Sequence, residues 1–244
     1  MKNRSFILLF TTILTASIID TAFAANIDLP GQMTMAGTWH GDEVSAKHDE
    51  TWLALVETSS GFELQEAIIS VEIVVDEVID VPPSKTGKKV SVPEGFEPLV
   101  LLRGLPQLSP GPVVTIAAPD ESLNTTHPAR FTLDESSYRL EFKCAAEFLG
   151  QELADCPLQL NNGNKIQTLQ DYPIYHPSTT NSTIASDASP RVLWAGDLDR
   201  DGLLDLLLDL TNHYNVSAPT LLLSSMAGKG ELVRSAAVFR TTGC

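Results

Sequence analysis

Short apolar runs, rather than long amphipathic stretches, carry the hydrophobic pattern of this chain. Segments such as TWLALVET (51–58), GPVVTIAA (111–118) and APTLLLSS (218–225) are rich in leucine or β-branched residues, and Ser-Ser-Gly, Pro-Pro and Asn-Asn-Gly turns punctuate the chain. Apolar runs of this length, bounded by turn residues, are typical of β-strands. The pattern predicts an all-β protein of antiparallel sheets, sandwich-like in its N-terminal region.

The clearest alternation lies in LLDLLLDLT, residues 203–211. In an extended strand one face carries Leu204, Leu206, Leu208 and Leu210, and the other carries Asp205, Asp209 and Thr211. A helix would scatter these leucines around its axis. The segment therefore predicts a strand with a buried leucine face.

The first 24 residues have the pattern of a secretory signal peptide. Lys2 and Arg4 precede an apolar run from Phe6 to Ile19, and Ala22-Phe23-Ala24 provides small residues for cleavage. The alternative, a membrane anchor, needs a longer uninterrupted apolar run than this one. We expect cleavage after Ala24, export to the periplasm or the extracellular space, and no stable membrane insertion afterwards.

Linker-like composition divides the remaining chain. Residues 176–190, HPSTTNSTIASDASP, are rich in Ser and Thr and predict a flexible connector between an N-terminal β region (25–175) and a C-terminal module (191–244). Residues 82–98, PPSKTGKKVSVPEGFEP, combine proline, glycine and lysine and predict a solvated loop.

The charge balance restricts the class of partner. The chain has 16 Lys and Arg residues against 31 Asp and Glu residues, a formal net charge of −15. Nucleic acids and anionic membranes bind to clustered basic residues, which such a chain lacks. We therefore expect no nucleic-acid partner, and consider an envelope protein or a glycan instead.

Three cysteines become relevant because export leads to an oxidising compartment. Cys144 and Cys156 flank an 11-residue segment between strand-like sequences, so this pair is the disulfide candidate. Cys244 is then left as a free thiol, although the sequence also permits it to pair with either of the other two.

Four aspartates crowd the turn before the leucine strand, in the order D-x-D-x-D-G-x-x-D. Carboxylates at this spacing repel one another unless a cation lies between them, and a glycine at the sixth position permits a sharp turn. The oxygen-only ligand set suits Ca²⁺, with Mg²⁺ as a weaker alternative; a solvated aspartate turn without metal is the competing interpretation. The candidate metal ligands are Asp197, Asp199, Asp201, the Leu203 carbonyl and Asp205, with Gly202 as the turn glycine.

Residues 192–210, VLWAGDLDRDGLLDLLLDL, resemble the calcium loop and following strand of FG-GAP/VCBS-type repeats. The resemblance covers about the last 50 residues, in a single copy without the Phe-Gly or Gly-Ala-Pro signatures. It implies a β-propeller-blade-like calcium module in which the same four aspartates and the Leu203 carbonyl bind Ca²⁺. The whole chain also resembles exported bacterial proteins that carry one such module.

These features predict a secreted or periplasmic calcium-binding β protein with a structural or binding role at the cell envelope, and no enzymatic activity. The alternative is a secreted hydrolase in which calcium is structural. Its catalytic groups would come from the cluster of His40, Asp42, Glu43, His48, Asp49 and Glu50 in TWHGDEVSAKHDETW. The spacing of this cluster matches no zinc motif, and a solvated, charged turn between two strands explains it better.

Overall fold

The computed structural model describes residues 29–117, 121–123, 128–144, 154–175, 183–184 and 190–243, and every regular element in these ranges is a β-strand. None of the described residues forms a helix long and apolar enough to cross a membrane. In chain order the strands are β1 (Gln32–Thr34), β2 (Gly37–Trp39), β3 (Thr51–Thr58), β4 (Gly61–Ile68), β5 (Ser70–Val74), β6 (Gly87–Ser91), β7 (Pro98–Arg103), β8 (Gly111–Pro112), β9 (Val114–Ala117), β10 (Glu121–Ser122), β11 (Ala129–Leu133), β12 (Ser136–Phe142), β13 (Ala154–Asn161), β14 (Ile166–Tyr175), β15 (Thr183–Ile184), β16 (Arg191–Asp197), β17 (Asp205–Asp209), β18 (Val216–Ser217), β19 (Pro219–Leu223), β20 (Arg234–Val238) and β21 (Thr241–Thr242).

All strand pairs in these ranges are antiparallel, which confirms the all-β antiparallel prediction. The N-terminal sheet has the order β1-β7-β3-β4-β8, and a small sheet has the order β2-β6-β5. The central sheet has the order β10-β16-β17-β19-β20, with β9 also paired to β16, and the outer sheet has the order β11-β12-β13-β14-β15. Strands β18 and β21 form a separate pair.

The central sheet is buried on both faces. Leu207 and Trp194 pack with the N-terminal sheet in one hydrophobic core, whereas Leu206 and Leu208 pack with the outer sheet in a second core. An antiparallel sheet that is covered on both faces requires nearly continuous apolar strands instead of simple alternation. This explains the leucine runs of β17 and β19. The face of β17 that carries Asp205, Leu207 and Asp209 is therefore buried, as the predicted leucine face is.

The central sheet draws strands from both sides of the connector. β9 and β10 come from the region before residue 175, yet they pair with β16 of the C-terminal region. The connector, residues 176–190, lies mostly outside the described residues. Within it, residues 183 and 184 form β15, which pairs with β14.

Residues 82–98 do not form the uninterrupted loop that their composition predicts. β6 lies within this segment and pairs with β2 on one side and β5 on the other. Val90 is buried, and Lys89 lies opposite Glu72 of β5. Cross-strand charge pairing and one buried valine thus stabilise a strand in a segment that is rich in turn-forming residues.

The strand-like stretch from residue 62 to residue 76 is divided between two sheets. Ile69 separates β4 from β5, and it is almost fully buried. Its N–H donates to the Glu50 carbonyl at 3.1 Å, and its carbonyl accepts from the Asp49 N–H at 3.0 Å. The chain therefore leaves the N-terminal sheet at Ile69 and enters the small sheet.

A disulfide joins Cys144 to Cys156, as the spacing predicts. It connects the end of β12 to β13, and Cys156 is completely buried in the second core. The remaining cysteine, Cys244, lies outside the described residues, as do residues 1–24.

Candidate metal centre

The aspartate motif forms the connection between β16 and β17, two neighbouring strands of the central sheet. Asp197 is the last residue of β16 and Asp205 is the first residue of β17. Gly202 has a φ of 82°, in the left-handed region that glycine adopts without steric cost, and Arg200 also has a positive φ of 64°. The Arg200 side chain points away from the aspartates and donates to the carbonyls of Pro112 and Ser109 at 3.0 and 3.1 Å.

Asp197 shapes the turn from its N-terminal end. Its Oδ1 accepts the N–H of Asp201 at 3.1 Å, and its Oδ2 accepts the N–H of Gly202 at 3.0 Å. These bonds curl the backbone over the Asp197 carboxylate, as an Asp at the start of a tight loop does.

Asp205 lies at the floor of the site and has no exposed surface. One oxygen accepts the N–H of Leu198 at 2.8 Å, and the other accepts the N–H and hydroxyl of Ser224 at 2.8 and 2.9 Å. Burial, with a contribution from the negative charge of Asp199, raises the pKa of Asp205 to about 7. The hydrogen bonds from Ser224 and Leu198 act in the opposite direction and lower it. A buried carboxylate of this kind is stabilised in its ionised form by a cation.

Asp199 is the least satisfied member of the motif. The Ser225 hydroxyl donates to its Oδ2, but its Oδ1 is buried without a hydrogen-bond partner among the described residues. Burial raises the pKa of Asp199, and the charges of Asp201 and Asp197 contribute to the increase. A buried carboxylate oxygen without a donor is costly unless another group, such as a metal ion, binds it.

Three carboxylates bring their oxygens close enough together for a single cation to bind all three. One oxygen from each of Asp197, Asp199 and Asp205 lies within 4.8 Å of the other two. The three residues are oxygen ligands only, which favours a hard cation over a transition metal. This group could hold a metal ion, and its donor chemistry fits the Ca²⁺ that the sequence predicts.

Asp201 and Leu203 lie in the same loop but are more exposed than the other three residues. Asp201 Oδ1 accepts the N–H of Leu203 at 2.8 Å, and its carboxylate also accepts the Ser224 hydroxyl. Asp201 does not belong to the converging group of three. The ligand roles of Asp201 and of the Leu203 carbonyl stay predictions.

Ser224 and Ser225 are site residues that sequence reasoning missed. They follow β19, which pairs with β17, so the sheet brings them beside Asp205 and Asp199. The available signal was the pair of hydroxyl residues that ends the apolar run APTLLLSS.

The His40 to Glu50 cluster is divided among several interactions. Glu50 forms an ion pair with Arg103 and accepts from the Trp52 indole at 3.3 Å, and His48 contacts the exposed Asp49 at 3.3 Å. Glu43 accepts the N–H and the hydroxyl of Thr242 at 2.6 and 3.0 Å, which fastens the C-terminal strand β21.

His40 has a partner that lies outside the predicted cluster. Its Nδ1 bonds to the carboxylate of Asp76, which is 5% exposed, and this bond together with the charge of Asp76 raises the pKa of His40. Both residues line a cavity of about 650 Å³ between β2, the segment after β5, and β21. Asp76 is 36 residues from His40 in the chain, so no local pattern pairs them.

Comparison with protein-family models, with curated proteins and with solved structures finds no match to this chain. The resemblance of residues 192–210 to FG-GAP/VCBS repeats rests on the motif itself and stays a prediction. The function is therefore argued from the chemistry of the site.

Proposed function

We propose that this chain is an exported calcium-binding β protein with a structural or binding role at the cell envelope. Ca²⁺ binds in the β16–β17 loop of an FG-GAP/VCBS-type module whose blade-like part is the central sheet. The protein acts in the periplasm or outside the cell after cleavage of residues 1–24. The Cys144–Cys156 disulfide is compatible with an oxidising compartment.

One observation carries the metal assignment: the buried Asp199 Oδ1 has no donor in the described part of the chain, and it lies with oxygens of Asp197 and Asp205 in one group. A solvated aspartate turn would expose its carboxylates, whereas Asp205 and Asp197 are buried. Like charges held together in the interior need a positive counter-charge. Arg200, the nearest basic residue in the loop, is bonded elsewhere and does not supply it.

Calcium suits the loop better than magnesium. Ca²⁺ accepts six to eight oxygens in flexible geometry, and water or backbone carbonyls complete its shell. Mg²⁺ demands near-octahedral ligands and loses its water reluctantly. Three side-chain oxygens in an irregular loop therefore favour Ca²⁺.

The metal would stiffen the central sheet, which contacts both hydrophobic cores. Asp205 begins β17, and its bonds to Ser224 link the loop to the end of β19. A cation on Asp197 and Asp205 would connect the end of β16 to the start of β17, and the Ser224 bonds extend this connection to the end of β19. We infer that calcium acts on the whole fold through this sheet and performs no chemistry itself.

Calorimetric titration of the purified, EDTA-treated protein with CaCl₂ and with MgCl₂ tests the proposal. We expect saturable binding of Ca²⁺ in the range of about 10⁻⁴ to 10⁻³ M that is common for extracellular modules, and weaker binding of Mg²⁺. Asp134→Asn, in the exposed β11–β12 turn, is the control for a lost surface carboxylate and should leave the titration unchanged. The absence of a Ca²⁺ isotherm would refute the metal assignment, and N-terminal sequencing of exported protein should begin at Ala25.

Hydrolysis is a second candidate function, favoured by the His40–Asp76 pair in its cavity of about 650 Å³. A carboxylate that orients the Nδ1 of a histidine leaves the Nε2 to activate a water molecule. A panel of chromogenic ester, phosphate and glycoside substrates tests this activity. His40→Ala should abolish any hydrolysis found, and His48→Ala, at an exposed site, should not.

A further inference from the structure

The outward face of the outer sheet carries two arginines directly opposite each other. Arg130 of β11 is the register partner of Arg139 of β12, and Arg139 is the partner of Asn161 of β13. Like charges opposite each other on neighbouring strands destabilise the pair. Strand pairing therefore gives no reason for this arrangement.

The positive charges on this face of the outer sheet are only partly neutralised by acidic side chains. Glu141 forms ion pairs with Arg139 at 2.5 Å and with Lys143 at 2.9 Å, so one carboxylate serves two cations. Arg130 has no partner in the described ranges, and the Nε of Arg139 is buried without a hydrogen-bond partner there. An unbonded, buried guanidinium N–H is costly, and an anion that accepts from it removes this cost.

Two asparagines beside the arginines present donors rather than acceptors. Asn161 Oδ1 accepts the N–H of Gly163 at 2.6 Å, and Asn162 Oδ1 accepts the N–H groups of Asn164 and Lys165 at 3.1 and 2.9 Å. The turn after β13 thus occupies both amide oxygens. The two amide NH₂ groups remain available to donate.

These four residues line one groove of about 350 Å³, which we call the arginine groove (Arg130, Arg139, Asn161 and Asn162). This volume lies within the range of about 300 to 1,000 Å³ that is usual for small-molecule sites. Thr132, Ser137 and Tyr138 also line the groove, and their hydroxyls can donate to an anion as well as accept. The two charged groups in the lining are planar guanidinium groups, which match the paired oxygens of carboxylate, sulfate or phosphate, although Glu141 already pairs with one nitrogen of Arg139.

We propose that the arginine groove binds a small ligand that bears an oxyanion, with the anion placed between Arg130 and Arg139 and accepting from the Asn161 amide. The acidic remainder of the chain repels anions in general, as its net charge of −15 indicates. Recognition therefore depends on short contacts in the groove rather than on the long-range field. This site is separate from the aspartate loop and does not rest on the calcium proposal.

Calorimetric titration with three probes tests the site: sodium sulfate, trigalacturonate and neutral maltotriose, at constant ionic strength. Saturable binding of sulfate supports a site for a free inorganic oxyanion. Saturable binding of trigalacturonate alone supports a site for a carboxylated saccharide. No saturable binding of either anion, or equal binding of maltotriose, would overturn the proposal.

Matched variants separate the groove from the general charge of the protein. Arg130→Gln should weaken binding of the anionic probe by about tenfold or more, since it removes a charge-assisted bond, and Arg240→Gln, at an exposed site outside the groove, should change it less than about twofold. Asn161→Asp keeps the oxygen that accepts from Gly163 but replaces the NH₂ donor, so it should also weaken binding. Its control is Asn212→Asp, and equal losses in variants and controls would contradict the proposal.

Discussion

Asp199→Asn should change the stability of the protein in opposite directions with and without calcium. The substitution keeps an oxygen that can accept from the Ser225 hydroxyl, while it removes one of the three converging charges. Without metal, the variant relieves repulsion and should be more stable than the wild type. With calcium, it lacks a ligand and should lose most of the stabilisation by metal.

The separation of the carboxylates sets the size of the effect. At the 4.8 Å that bounds the oxygen separations, two charges repel by about 3 kcal/mol at an effective dielectric constant of about 20, and by about 1 kcal/mol in water. Because Asp199 is partly exposed, we expect the metal-free variant to gain about 1 to 2 kcal/mol. Calcium at about 10 to 100 times its Kd should stabilise the wild type by about 1.4 to 2.7 kcal/mol.

Urea unfolding at a pH above 7, in EDTA and in calcium, measures both effects. Asp201→Asn is the control within the same loop, since Asp201 is exposed and lies outside the converging group. If only Asp197, Asp199 and Asp205 bind the metal, the Asp201→Asn variant should keep most of the stabilisation by calcium. If Asp201 binds as well, this variant should lose that stabilisation. Two results would refute the reasoning. One is an Asp199→Asn variant that is less stable than the wild type in EDTA, and the other is a variant that keeps the full stabilisation by calcium.

Three further predictions concern the pH dependence, the disulfide and the turn. Because the pKa of Asp205 is raised from 3.8 to about 7, the metal-free folded state holds a proton that the unfolded state loses, so stability should fall by about 3 kcal/mol as pH rises from about 4 to about 7. Urea midpoints across this range should show the decrease in EDTA, and a flat profile would contradict it. Replacing Cys144 and Cys156 by serine opens a crosslink with a sequence separation of 12 and should cost about 3 kcal/mol of unfolding free energy; an unchanged melting temperature would count against this. Gly202→Ala meets no atom within 4 Å, so its expected loss of about 1 kcal/mol comes from the positive φ alone, and a neutral result by thermal unfolding would exclude that strain.

The local pattern of this sequence was sufficient for the strand content and for the position of the aspartate loop. Apolar runs between turn residues indicated β-strands, because alternation and β-branching are properties of single segments. The spacing of the aspartates around Gly202 likewise encodes the turn, since the Asp197 carboxylate bonds to backbone only four and five residues away. The Cys144–Cys156 pair was also accessible, because a short loop restricts its partners.

The local pattern failed where a distant segment decides the structure. β6 forms in a segment rich in proline, glycine and lysine because β2 and β5 flank it. Ile69 divides the strand-like stretch of residues 62–76 because residues 49 and 50 bond to its backbone. In both cases hydrogen bonds from elsewhere in the chain outweigh the preference of the segment itself.

The sequence by itself determined that this protein is all-β, that a disulfide can close a short loop, and that acidic oxygens gather in one turn. Only the tertiary structure decided which oxygens converge, that Ser224 and Ser225 bond to them, and that two arginines face each other across β11 and β12. The physical reason is that a strand pattern specifies which side chains share a face. What lies against that face depends on sheet register and on packing between segments far apart in the chain.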